Sequence, residues 1–454
     1  CGRRVSLSLQ RDTIVMTRGL DVSARNIFVV GLNDDNHERL LRLKGAEEWR
    51  FHRIIAPEAV YDTEEFDIPA MLEEAGQTLD RFGRPIDAII GYMDFPVSTM
   101  LPILCKRFGT RSTSLESLLK CEHKYWSRCV QREVVPQYIP GFTAFDPFDE
   151  AALGQIGAAG LSFPFFVKPI KSSGSRLGFR IETPEDFALA IDRLKAEIGS
   201  IAEPFNSVLD QANLPPEIAA IDGHYCMAEE IIGGWQCTLE GYVHDGEVVV
   251  YGVVDSIRYP GVLSFFHYLY PSALPQRVQQ QMIDATRLVM TRTGFDQSAF
   301  NVEFFWDELQ DGIWLIEINT RISQSHCDLF EKVDGLSHQQ VTVDLALGQR
   351  PRLPHREGAY AVAAKFFYRV FFHDATVERV PSAQTLAQLE QDYPGTVISL
   401  QVEEGQRLSS LPEQDSYSFA LAYIWMGGDD YQTLLRRYQQ LAARLTFAFG
   451  DIDS

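Results

Sequence analysis

In the run LIEINTRISQSH, from Leu315 to His326, an acid, an amide and a guanidinium stand at alternate positions: Glu317, Asn319 and Arg321. Residues i, i+2 and i+4 of an extended chain share a face, so the spacing predicts three polar heads converging at one strand end. Upstream, NVEFF carries Glu303, and a turn at Gln310-Asp311-Gly312 joins the two runs into a hairpin that makes Glu303 and Glu317 cross-strand neighbours. Two carboxylates and an amide oxygen form a hard oxygen set suited to Mg²⁺, with Mn²⁺ as the alternate ion. Solvated strand residues are the plainer reading of such a pair. Here the flanks Phe304, Phe305, Leu315, Ile316 and Ile318 are apolar, and a partly buried acid needs a partner.

A second segment, VKPIKSSGSRLG, offers Lys168 at a strand end, followed by a turn containing Ser172, Ser173, Gly174, Ser175, Arg176 and Gly178. Backbone N–H groups of such a turn can wrap phosphate oxygens while Lys168 supplies a point charge. The run is not a Walker A loop, and by itself a Gly/Ser hairpin turn is commonplace. AEEIIGGW reads as a strand running into a Gly-Gly break, where Glu230, Ile231 and Ile232 could frame an adenine; ordinary strand-to-loop transitions look the same. Lys124, in an amphipathic helical run, reads alone as a surface lysine.

The elements that must position these residues follow from periodicity. Ile27 to Val30 and Ala88 to Ile90 read as strands, each leading into a helix, which suggests a small parallel α/β domain at about residues 26–110. Thr113 and Glu116 have capping-box spacing ahead of SLLKCEHKYWSRCV, and Thr183 to Asp186 open another helix. From Tyr225 the pattern becomes long alternating strands with hairpin turns, including His244-Asp245-Gly246. Ser337 and Gly348 bound a further helix, and a last α+β stretch ends in a helix around Tyr431 to Leu445.

The chain has 454 residues and a formal net charge of -21. That length allows two or three domains, and the charge argues against nucleic-acid or anionic-membrane partners, which need a broad basic surface. Its 7 cysteines lack Cys-x-x-Cys spacing, no apolar run reaches membrane-spanning length, and CGRRVSLSLQRDT lacks a signal-peptide core. These features point to free thiols and a cytoplasmic setting.

Taken in order, helix lysine, strand lysine with a Gly/Ser loop, E-E-apolar-apolar-G-G and E-(13 residues)-E-x-N-x-R resemble the ATP-grasp superfamily. The resemblance spans about residues 26–350 and is to its carboxylate-amine ligases, notably the amino-acid ligase and biotin-carboxylase-like branch; the remainder resembles their C-terminal unit. It implies an α/β and α+β architecture: an N-terminal parallel α/β domain at 1–110, an ATP-grasp domain with an antiparallel catalytic sheet at 111–350, and a C-terminal α+β unit at 351–454. A mobile lid at about 135–228 lies within the second of these.

The resemblance also implies roles. Lys124 and Lys168 match the phosphate-binding lysines, Ser172 to Gly178 the closing loop, and Glu230 with Ile231 and Ile232 the adenine hinge. Gln236 stands where many members hold the ribose with an acid. Glu303, Glu317 and Asn319 match the metal ligands, and Arg321 the arginine that steadies the acyl-phosphate. Arg258 and His267 fall where amino-acid ligases line their substrate site, as a carboxylate clamp and a proton acceptor. The implied activity is ATP-dependent joining of a small carboxylate to an amine through an acyl-phosphate, with ADP and phosphate released and a homodimer compatible.

Two alternatives remain open. NTRISQSH partly echoes the biotin carboxylases, although Ser325 stands where those enzymes carry a glutamate. A non-catalytic ATP-binding regulatory protein is the other. His123, where an acid commonly precedes the first lysine, and Ser323-Gln324-Ser325 depart from the family pattern near the expected acceptor pocket.

Overall fold

The computed structural model describes residues 24–61, 66–172, 176–371, 374–411 and 418–453. Three parallel strands, β1 (Arg25–Val30), β2 (Trp49–Ile54) and β3 (Ala88–Ile90), form a first sheet in the order β2-β1-β3. Ile27 and Val29 of β1 pack into one core and Phe28 and Val30 into another, so both faces are covered, as a parallel sheet requires. Sequence periodicity locates β1 and β3 but not β2. Its residues WRFHRI include two arginines and a histidine, which an edge strand tolerates.

The stretch expected as one helix after Thr113 is two. Ser114, not Thr113, caps Leu115–Glu122 by accepting from the Ser117 N–H, while Thr113 donates its own N–H to Ser298. His123 breaks the run and caps Lys124–Val134: Nδ1 accepts from the Trp126 N–H at 3.2 Å, leaving Nε2 to donate to the Ile221 carbonyl at 2.8 Å. Burial holds this imidazole neutral, with its pKa pushed down to about 4. Lys124 therefore begins a helix, where the macrodipole disfavours a cation. Such a lysine must be stabilised by anions.

Strands β4 (Phe142–Phe145), β5 (Phe165–Pro169), β6 (Phe179–Ile181) and β7 (Cys226–Glu230) form an antiparallel sheet in the order β4-β7-β5-β6. Helix Pro184–Glu197 opens with the expected signal, a Thr183–Asp186 capping box, and buries Phe187, Ala190 and Leu194 with Phe165, Val167 and Ala228 of that sheet.

The remaining strands are β8 (Trp235–His244), β9 (Glu247–Arg258), β10 (Phe265–Tyr270), β11 (Ser298–Asp307), β12 (Gly312–Asn319), β13 (Val362–Val370), β14 (Asp374–Arg379), β15 (Thr396–Leu400), β16 (Phe419–Gly428) and β17 (Ala448–Asp453). All but β14 and β17, which pair together, build one eight-stranded antiparallel sheet in the order β12-β11-β8-β9-β10-β13-β16-β15. The turn between β8 and β9 has Asp245 and Gly246 both left-handed, φ 51° and 77°, the two-residue hairpin geometry that suits the strand twist. Strands from either side of residue 350 thus share one sheet. Helix Tyr431–Ala442 covers one face, stacking Tyr438 on Phe366 at 3.9 Å.

Candidate active site

The β11–β12 register sets Glu303 opposite Glu317 and Asn301 opposite Asn319, with a bulge between Glu303 and Phe304. Asn319 donates through Nδ2 to Asn301 Oδ1 at 2.9 Å and to Glu303 Oε1 at 3.3 Å, which leaves its Oδ1 as the oxygen to offer a cation. The other oxygen of Glu303 accepts from Gln236 Nε2 at 2.9 Å, and Gln236 Oε1 accepts from Arg258 Nη2 at 2.7 Å. Burial, then the facing Glu317, push the Glu303 carboxyl above its ordinary range, against the pull of Arg321. A divalent cation would relieve that repulsion, so the donor set of two carboxylates and an amide oxygen fits Mg²⁺. No cluster of three or more His, Cys, Asp or Glu forms a metal site among the described residues. Strand β12 stops at Asn319, so alternation carries Glu317 and Asn319 but not Arg321. Beyond the strand, Arg321 Nη2 reaches Asp94 Oδ2 at 2.8 Å.

Cations line the opposite side. Lys124 Nζ donates to the Ser172 carbonyl at 2.8 Å and lies 3.6 Å from Glu317 Oε2. Burial lowers its pKa, with Glu317 opposing and Lys168 and Lys171 adding to the effect. Lys168, on β5, is 2.5 Å from Glu229 Oε2, and the second Glu229 oxygen is 2.5 Å from Arg128 Nε. Arg128 continues to the carbonyls of Leu315, at 3.0 Å, and Ile316, at 2.9 Å, on β12. Although burial opposes ionisation of Glu229, the two cations outweigh it and hold the carboxyl at about 2. Lys171 bonds Glu122 at 2.6 Å and faces Asp94 at 3.9 Å; Thr320 donates to the second Glu122 oxygen. Asp94 is held well below the usual carboxylate range because Arg321 and Lys171 overcome its burial.

Residues 161–328 match the family described as ATP-grasp domain. The chain carries an ATP-grasp domain. No curated protein matches the sequence. Among solved structures, the L-amino acid ligase from Bacillus licheniformis is similar at a TM-score of 0.67 and 14% identity, over 94% of this chain and 100% of the other. The phosphoribosylglycinamide synthetase from Anaerococcus prevotii gives 0.62 and 12%, over 94% and 100%. The biotin carboxylase from Campylobacter jejuni, solved as a β,γ-ATP complex, gives 0.60 and 14%, over 94% and 93%. At these identities the likeness is one of fold.

The ATP-grasp match contains Lys168, Glu303, Glu317, Asn319 and Arg321, which lie in or just beyond β5, β11 and β12, while Lys124 and Asp94 reach the cluster from segments before it. Ser172 contributes its carbonyl and Gly178 precedes β6; Ser173, Gly174 and Ser175 lie outside the described residues. Glu230 ends β7 with Oε2 accepting from the Gly141 N–H at 2.7 Å, and exposed Ile231 and half-buried Ile232 follow it. Gln236 is occupied between Arg258 and Glu303 rather than standing free for a ribose.

His267 is not brought to this cluster. It is fully buried on β10, stacked on Tyr431 with Nε2 3.2 Å from the phenol oxygen, and its pKa is pushed down to about 4 by burial alone. Its neighbour Tyr268 points the other way, edge-on to His326 at 5.1 Å, so the expected proton acceptor sits on the wrong face of the sheet.

Sequence reasoning missed Asp94, Glu122, Arg128, Lys171, Glu229 and Glu240. One signal was available for Arg128. Lys124, Arg128 and Gln131 recur at i, i+4 and i+7, a polar stripe that shares its helix with the buried Trp126 and Val130.

Proposed function

We propose that this chain is an ATP-dependent ligase that activates a small-molecule carboxylate as an acyl-phosphate and joins it to an amine, releasing ADP and phosphate. The observation that carries this reading is one connected set of contacts running from Lys124 through Glu317 to Glu303, Gln236 and Arg258, with Arg321 beside it. Lys124 and Lys168 would neutralise the triphosphate, the segment from Ser172 to Gly178 would cover it, and Glu230 to Ile232 would border the adenine. Glu303, Glu317 and Asn319 would hold Mg²⁺ or Mn²⁺, which supplies charge neutralisation for phosphoryl transfer.

A carboxylate is a poor acylating agent, so its oxygen must first become a better leaving group. The carboxylate oxygen attacks the γ-phosphorus and the bond to the bridging oxygen breaks, releasing ADP. The amine nitrogen then attacks the acyl carbon, the carbon–oxygen bond to phosphate breaks, and the nitrogen loses its proton. Arg321, paired with Asp94, would stabilise the oxyanion of the second step. Arg258 is the candidate clamp for a substrate carboxylate. His267 is given no role. Carboxylation is disfavoured because Ser325 stands where a glutamate base would be required and its hydroxyl accepts from Lys365 at 2.9 Å.

The test is ADP release from ATP and Mg²⁺ across a panel of amino acids and small carboxylates, with and without amines. Substrate-dependent ADP and phosphate with an amide product supports the ligase. AMP with pyrophosphate overturns the acyl-phosphate mechanism, and absence of substrate-dependent turnover favours the regulatory alternative.

A further inference from the structure

Two residues beyond Arg321, the backbone of Ser323 is gripped from both sides by buried side chains. Its N–H donates to Glu240 Oε1 at 3.3 Å, and its carbonyl accepts from His338 Nε2 at 2.9 Å. The same Glu240 oxygen is 2.7 Å from His326 Nδ1, so the segment from Ser323 to His326 closes on one carboxylate in the middle of β8. Glu240 and His338 are fully buried and His326 is 2% exposed. The hydrogen bonds fix the tautomers. His326 carries its proton on Nδ1 toward Glu240, and His338 carries its proton on Nε2 toward Ser323. His338 Nδ1 is then left to accept from the Tyr251 hydroxyl at 3.1 Å. Burial pushes His326 down to about 3 and His338 to about 4, so both rings are neutral.

A carboxyl with no solvent exposure is unfavourable unless its bonds serve a purpose, and Glu240 Oε2 has no hydrogen-bond partner. An apolar residue would fill the same place at less desolvation penalty. What the carboxyl group supplies is direction: it and His338 determine where the peptide after Arg321 lies, while Asp94 holds the guanidinium head from the loop that follows β3. Phe330 stacks on His338 at 4.7 Å and Tyr268 stands edge-on to His326, so the grip is backed by rings that restrict both imidazoles.

We propose that Glu240, His338 and His326 form a positioning unit for Arg321, fixing the Ser323 peptide so that the guanidinium meets the reacting carboxyl; this rests on the ligase reading above. Misplacing a catalytic group by about 1 Å lowers rate about 100-fold, whereas substrate affinity set elsewhere is unaffected.

The experiment compares Glu240→Leu, His338→Leu and His338→Gln with the wild type, since leucine removes the acceptor for the Ser323 N–H while a glutamine at 338 can retain the donor to the Ser323 carbonyl. Two readouts are needed: amide hydrogen exchange of peptides covering residues 320–327, and kcat separated from KM for ATP in substrate-dependent ADP release. Glu240→Leu and His338→Leu should exchange at least about tenfold faster in 320–327 alone, and lose about 10- to 100-fold in kcat with KM for ATP within about twofold, while His338→Gln stays near wild type. Unchanged exchange in both disruptive variants overturns the proposal, as does faster exchange with undiminished kcat. A wild type that turns over no substrate would instead overturn the ligase reading; the exchange comparison would still decide whether the grip on Ser323 exists. Should Glu240→Leu fail to fold, the His338 pair carries the test.

Discussion

Glu229→Gln removes the one anion that stands between Arg128 and Lys168. The carboxyl is only 4% exposed and is held at about 2 against an ordinary 4.5, so solvent screening subtracts little. At about 1.4 kcal/mol per pKa unit, that depression corresponds to roughly 3 kcal/mol of stabilisation at neutral pH. The sign follows from a depressed carboxyl. Its contribution is complete above pH 4.5 and is lost as pH falls toward 2, leaving less than half at pH 3. The variant also strands two buried cations, which works in the same direction. Urea denaturation of wild type and variant at pH 7 and pH 3 measures the difference, with hydrogen exchange of Cys226–Glu230 identifying the transition that carries β7. The expected loss is about 3 kcal/mol at pH 7 and less than half of that at pH 3. A loss below about 1 kcal/mol at pH 7, or one no smaller at pH 3, would refute the assignment of Glu229 as an ionised clamp.

Glu317→Gln should reduce substrate-dependent ADP release at least about 100-fold with circular dichroism unchanged, because it removes a metal ligand; wild-type turnover in the folded variant would contradict that role. Asp94→Asn should lower kcat about 10- to 100-fold and leave nucleotide affinity alone, since Asp94 touches Arg321 and not Lys124 or Lys168, the lysines proposed for the phosphates; an equal loss in ATP affinity would place it with those lysines. Glu303 is raised by burial and by Glu317, so its ionised form is the less stable one and metal-free stability should decline as pH rises above 4.5. Mg²⁺ should then raise Tm more at pH 8 than at pH 5, and an equal gain at both would count against Glu303 as a ligand.

Much of this site could be read from order and spacing. Glu303 and Glu317 were predictable as neighbours because a hairpin with a recognisable turn fixes register, and Asn319 followed from strand alternation. Lys168 sat beside a Gly/Ser turn, which marks a place where backbone can approach a ligand. The residues that escaped notice make their contacts across long sequence separations. Asp94 meets Arg321 from the loop that follows β3, and Glu122 meets Thr320 from a helix made 198 residues earlier. Periodicity reports which face a residue shares within its own element and is silent on which distant element packs there. The same limit explains His267. Alternation distinguishes it from Tyr268, but only the placement of helix Tyr431–Ala442 shows which of the two faces lies away from the site. The helix break at His123 escaped because an imidazole cap resembles any polar residue in an amphipathic run until its acceptor, the Ile221 carbonyl, is in place.

The bonds of Arg128 also set an order of assembly. Its carboxylate partner lies 101 residues later in the chain and its two carbonyl partners on β12 lie 187 and 188 residues later. During synthesis the helix bearing Lys124 and Arg128 emerges long before any of them, and contacts of such separation form late. A ribosome-bound chain that stops short of Ile316 therefore has the helix bearing Arg128 untied from β12, with an arginine still waiting for the strand that accepts from it. Completion of those two bonds marks the moment β12 docks, which makes Arg128 a timer for the completion of this part of the molecule.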